Sequence, residues 1–126
     1  MSSDVDGRMR LVIDRSRWRR GDHQDGALRN RDGTRCCLGF LAEACGYAVE
    51  ETLEVLTPRE LIDGLGGKSL FPSRLILDVE SPDELLIDAN DKPCEPSQPD
   101  FEPKREARIA ELMSSIGVDV EFVDGR

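Results

Sequence analysis

The side chains with the greatest intrinsic reactivity here are Cys36, Cys37, Cys45 and the single histidine, His23. Thiolate and imidazole together make zinc sites, or a nucleophile with its base. The spacing argues against zinc. Zinc sites draw on C-x(2–4)-C pairs, whereas two of these cysteines are adjacent, with diverging side chains. On one helix Cys37 and Cys45 stand about 12 Å apart by the rise per residue, too far for one ion. A thiol nucleophile gains from a helix N-terminus, where the dipole lowers its pKa. Cys36 or Cys37 at a helix start would have that advantage, but no Asn or Asp partner is specified to make His23 a base. The preferred reading is that these thiols are small buried hydrophobes. No catalytic residue, metal ligand or cofactor is therefore expected.

Arg15, Arg17, Trp18, Arg19 and Arg20 form the densest basic patch, with His23 close behind. Guanidinium groups pair with phosphate, and an aromatic ring stacks on a base. These six residues are the candidate ligand-binding set. The competing reading makes Trp18 a core anchor and the arginines a solvated helix end. No phosphate loop supports the binding reading: G-x(4)-G-K-[ST] and G-x-G-x-x-G are both missing. The run Gly64-Leu65-Gly66-Gly67-Lys68-Ser69 has the wrong spacing and reads as a hinge.

The net charge is −9, unevenly spread over 126 residues. Residues 1–37 hold nine Arg and six Asp, and the remainder is strongly acidic. A basic head on an acidic body offers two partner surfaces, or simply a well-solvated exterior. The acidic run Glu50, Glu51, Glu54, Glu60, Asp63, Asp78, Glu80, Asp83 and Glu84 is dense enough to mimic nucleic-acid charge, against the plainer reading of a solubility surface. Fourteen Arg against three Lys favours bidentate contacts, though a GC-rich coding sequence gives the same excess.

These residues need elements to position them. The length fits one domain. The apolar residues are grouped in 9–13, 36–48, 70–77, 85–89 and 107–123, as a modest core of Leu, Ile and Val requires. Residues 1–7 read as a disordered polar terminus, and 8–126 as a single α+β domain. Short helices are expected to pack on a small, mostly antiparallel sheet. From Arg8 to Arg20 the pattern fits both periods; length and the Arg-rich tail favour a helix. Asp32-Gly33 predicts a tight turn between short strands at 27–29 and 34–36. Cys37 to Ala44 reads as a helix capped at Gly46. Thr57-Pro58-Arg59-Glu60 and Ser81-Pro82-Asp83-Glu84 are both helix starts, independent rather than a repeat. Leu75 to Leu77 reads as a buried strand or helix end. Residues 89–103 carry four prolines and read as a loop. Pro103 to Ile116 is the clearest helix, with Ile109, Leu112, Met113 and Ile116 on one face. Gly117 ends it, and Val118, Val120 and Phe122 then alternate as a strand.

At Trp18, Gly26-Ala27-Leu28-Arg29, Asp32-Gly33 and Cys36-Cys37-Leu38-Gly39-Phe40-Leu41, the chain resembles a group of small uncharacterised proteins of bacteriophages and prophages. Asn90-Asp91 and Glu106-Ala107-Arg108-Ile109-Ala110 follow in the matching order. The chain differs from that pattern at Phe40, where Val is usual, and at Ala42, where a second Cys falls; the Tyr usual before Gly26 is replaced nearby by His23. The resemblance implies an accessory protein of mobile elements and carries no activity with it. The expected function is non-enzymatic binding of a host macromolecule, most simply a host protein, in a host-takeover or anti-defence role. The alternatives are a nucleotide-binding or nucleotide-sequestering module, and a cryptic thiol enzyme or zinc site. Met1 to Asp6 has no apolar signal region, and no stretch nears the roughly 20 apolar residues of a membrane span. A cytoplasmic location with no membrane partner is expected.

Overall fold

The computed structural model describes residues 9–19, 27–77, 81–91 and 101–124. The expected disordered terminus at 1–7 lies outside them. Strand β1, Met9–Asp14, pairs with β2, Val118–Val123, in a two-stranded parallel sheet with Met9 opposite Val118 and Asp14 opposite Val123. The expected helix over Arg8–Arg20 is thus replaced by a strand. Its alternation decides the outcome: Leu11 and Ile13 are buried, while Val12 between them is 48% exposed. Asp14 then caps a 3-10 turn at Arg15–Arg17, its carboxylate accepting from the Ser16 backbone N–H at 3.0 Å and the Ser16 hydroxyl at 2.7 Å.

The expectation of a mostly antiparallel sheet is also corrected. Antiparallel neighbours need only a hairpin, and the Asp32-Gly33 turn does form. Gly33 has φ +89°, its N–H reaches the Asn30 carbonyl, and the Asn30 N–H reaches the Thr34 carbonyl at 2.8 Å. The flanks find other partners, however, as single bridges: Arg29 with Leu53, and Arg35 with Trp18. What remains is a parallel pair, which requires a long crossover, and the helices supply it.

Helix α1 is Cys37–Ala44. It ends in a Schellman arrangement, with Gly46 at φ +102° bonding the Glu43 carbonyl and Tyr47 bonding that of Ala42. Gly39 faces the carbonyl of Leu28 so closely that a β-carbon there would sit 1.7 Å from the oxygen. Helix α2 is Val49–Thr52, and α3 is Pro58–Gly64, begun by Thr57, whose hydroxyl accepts from the Glu60 N–H. Helix α4, Ser73–Leu77, resolves the strand-or-helix ambiguity at Leu75 in favour of helix. Helix α5 is Pro82–Asp91 and α6 is Phe101–Ser115. Both intrude on the expected 89–103 loop; residues 92–100 lie outside the described residues. Ser81 enters α5 at φ +51° and Thr57 enters α3 at φ −137°, so the two Pro-containing starts differ in geometry.

The layers follow from the apolar faces. Helix α1 packs on β1 and α5, and α6 packs on α5 and β2. Ile109, Leu112, Met113 and Ile116 of α6 and its C-terminal flank are buried, as their spacing predicts. One cluster joins them to Leu11, Ile13, Leu38, Leu41, Leu75 and Leu86. The molecule is a small α+β assembly of helices on a two-stranded sheet. Among the described residues no helix is long and apolar enough to cross a membrane.

Candidate functional site

The six predicted binding residues do not form one site among the described residues. Trp18 is 4% exposed and belongs to the core. Its ring packs on Phe122 at 5.2 Å, and its Nε1–H donates to Asn90 Oδ1 at 2.7 Å. This corrects the reading of Trp18 as a stacking platform. Burying an indole leaves its N–H needing an acceptor, and Asn90 provides one. Arg15 is a bidentate partner of Glu106, at 2.7 and 2.8 Å, and also meets Asp124 at 3.1 Å. Those bonds, Glu106 first, raise its pKa further. Arg17 is exposed. Arg19 lines two shallow cavities, described below. Arg20 and His23 lie outside the described residues.

Asn90, 1% exposed, is a junction between segments. Its Oδ1 accepts from Trp18 and from the Cys37 backbone N–H at 2.9 Å, while its Nδ2 donates to the Arg19 carbonyl at 3.0 Å. The first turn of α1 is thereby satisfied from another helix, a cap that no local residue supplies. Arg105, also buried, closes α5 from α6, its Nη1 donating to the carbonyls of Ala89 and Asn90. Residues that sequence reading put in a motif, namely Trp18, Cys37 and Asn90, thus meet in one buried network with a structural task.

The cysteines behave likewise. Cys36 and Cys37 are buried, and the Cys37 thiol faces the Leu86 carbonyl at 3.8 Å. Cys45 is partly buried, and burial pushes its thiol up to about 11, away from a nucleophile's range. Among the described residues no three His, Cys, Asp or Glu side chains group around a point that would hold a metal ion.

Much of the basic head is paired inside the molecule. Arg10 pairs with Glu121, Arg15 with Glu106, Arg31 with Glu54, and both Arg29 and Arg35 with Glu43. Arg35 also lies over the Phe40 ring. In the acidic run, Glu54 is paired, and Asp83, buried, receives Arg59 at 2.8 Å. Asp78 and Glu80 lie outside the described residues.

No family model matches the chain, and no curated protein or solved structure matches it.

Described residues line three concavities. One, of about 660 Å³, is lined by Trp18, Arg19, Asp32, Thr34 and Glu102. Its neighbour, of about 430 Å³, shares Arg19 and Asp32 and adds Arg31, Glu54 and Leu56. The Asp32 carboxyl is held below its usual range by the Thr34 hydroxyl and then the Thr34 N–H, so it stays ionised. A phosphate here would meet carboxylates, and Arg31 is already engaged. The third concavity, of about 210 Å³, is lined by Tyr47, Leu65 and Leu70, with Glu51 and Lys68. Tyr47 is pinned there by stacking on Phe71 at 5.0 Å and by its hydroxyl accepting from the Leu70 N–H at 2.8 Å.

Residues 49–70, of which Leu65 and Leu70 line this third concavity, hold what sequence reasoning missed. Val49, Leu53, Leu56, Leu65 and Leu70 are five of the seven large apolar side chains left exposed among the described residues. Four of them fall outside the apolar groups read as core. The signal was there: isolated apolar residues, with no period, within an acidic stretch.

Proposed function

We propose that the chain is a non-enzymatic accessory protein of the phage or prophage type that acts by binding a host protein. One observation carries this reading: Cys36, Cys37, Trp18 and Arg15 are engaged in the fold, while apolar side chains stay exposed along residues 49–70. Thiols that are buried do no covalent chemistry, and a buried tryptophan stacks on no base. Exposed apolar groups that adjoin on a surface mark protein interaction sites, and Leu65 and Leu70 adjoin in one concavity. The nucleotide-binding alternative loses Trp18 and Arg15, two of the six residues that recommended it. Immobilised full-length protein is to be exposed to bacterial lysate at low salt and the retained molecules identified. A reproducible protein partner supports the proposal; repeated failure to retain any protein sinks it.

A further inference from the structure

We infer that the concavity formed by Tyr47, Leu65 and Leu70 receives a single large apolar side chain from a basic peptide segment of the partner. The inference rests on the protein-binding reading above and gives it a place and a chemistry.

The size sets the class of occupant. About 210 Å³ is below the roughly 300–1,000 Å³ of small-molecule sites. It suits one anchoring side chain, the way protein interfaces concentrate affinity in a filled pocket. The walls are built to keep that shape. Tyr47 is 5% exposed and fixed at both ends of its ring, by Phe71 and by the Leu70 N–H. Gly46, at φ +102°, sets the turn that brings Tyr47 beside Leu70. Leu65 follows α3 on a glycine-rich turn in which Gly66 and Gly67 both take positive φ.

The charge sets the chemistry of the flanks. From Tyr47 to Gly67 the chain carries Glu50, Glu51, Glu60 and Asp63, besides Glu54, which Arg31 pairs, against one cation, Arg59. Arg59 is committed to buried Asp83. Among the described residues Lys68 is the one cation lining the concavity, beside Glu51. Such a field attracts lysine and arginine on either side of an apolar anchor and repels acidic segments. A basic segment also complements the charge of the whole protein, −9.

The probe is a random-peptide display library panned on the full-length protein. Enriched peptides are expected to share net positive charge and one large apolar residue. Replacing that residue by alanine lowers affinity about tenfold or more. Leu70→Asp and Leu65→Asp each weaken binding to a similar degree, and Lys68→Glu strengthens it several-fold. Leu85→Asp, at an exposed apolar residue outside the concavity, leaves binding unchanged. Trp18 fluorescence establishes that each variant is folded. No enrichment, enriched peptides without the basic and apolar features, or insensitivity to both leucine substitutions overturns the inference. Lysate retention separates the two claims. If Leu70→Asp protein retains the same host protein undiminished, the inference fails and the binding reading stands; if wild type retains none, that reading fails first.

Discussion

Trp18 and Asn90 meet across 72 residues of sequence in a buried 2.7 Å hydrogen bond. The same Asn90 oxygen holds the Cys37 N–H. Replacing Asn90 by leucine, of the same branched shape, removes the acceptor that Trp18 Nε1–H and the Cys37 N–H share. Losing each bond costs about 1–3 kcal/mol, so Asn90→Leu is expected to destabilise the protein by about 2–6 kcal/mol in urea denaturation. Trp18 is the only tryptophan, so its emission reports the same event. A loss under about 1 kcal/mol would show that the junction is dispensable.

Gly39 sits where α1 crosses the Leu28 carbonyl. A methyl group at 1.7 Å from a backbone oxygen cannot be accommodated by a rotamer change, so either the helix or the loop must move. Gly39→Ala is expected to cost about 3 kcal/mol or more, beyond ordinary overpacking. Thermal melts of the variant and wild type check it. Gly64→Ala, in open space, serves as the comparison.

Burial raises the Cys45 thiol from 9.0 to about 11. The unfolded chain releases this proton first as pH rises, and the folded protein resists. Stability tied to Cys45 is therefore complete below pH 9.0 and is lost between there and about 11. Cys45→Ala is expected to flatten that alkaline decline. Denaturation at neutral and alkaline pH, for variant and wild type, gives the difference. Identical slopes would mean that the thiol ionises equally in both states.

Arg15 is engaged by Glu106, and Trp18 is in the core. Millimolar nucleotide is therefore expected to leave the melting temperature unchanged, because a ligand that binds the folded state must raise it. A clear upward shift with any nucleotide would revive the sequestering alternative and point to the cavities beside Arg19.

What was legible in the sequence is what local pattern determines. The α6 face, α1 with its glycine cap, the Thr57 start of α3 and the β2 alternation all depend on neighbours within a few residues. Met9 to Ile13 was misread because its short alternation competed with an arginine-rich tail, and the partner that settled the matter, Val118 to Val123, is remote. Sheet direction was hidden for the same reason. The core-anchor reading of Trp18 was legible from its being the single tryptophan, but its acceptor was not, because Asn90 lies on α5. The exposed leucines of 49–70 were passed over because they obey no period, and a period is what marks a core.

The parallel pairing of Met9–Asp14 with Val118–Val123 also governs when the protein can assemble. A chain emerging from the ribosome delivers β1 long before β2, its sheet partner among the described residues. Until Val118 has been synthesised, Leu11 and Ile13 have no ladder to join and stay open to solvent and to chaperones. Contacts of such long sequence separation form slowly. The nascent chain therefore carries β1 as an unfinished edge while the helices between the two strands are made, and that interval is when it is most exposed to misassociation and proteolysis.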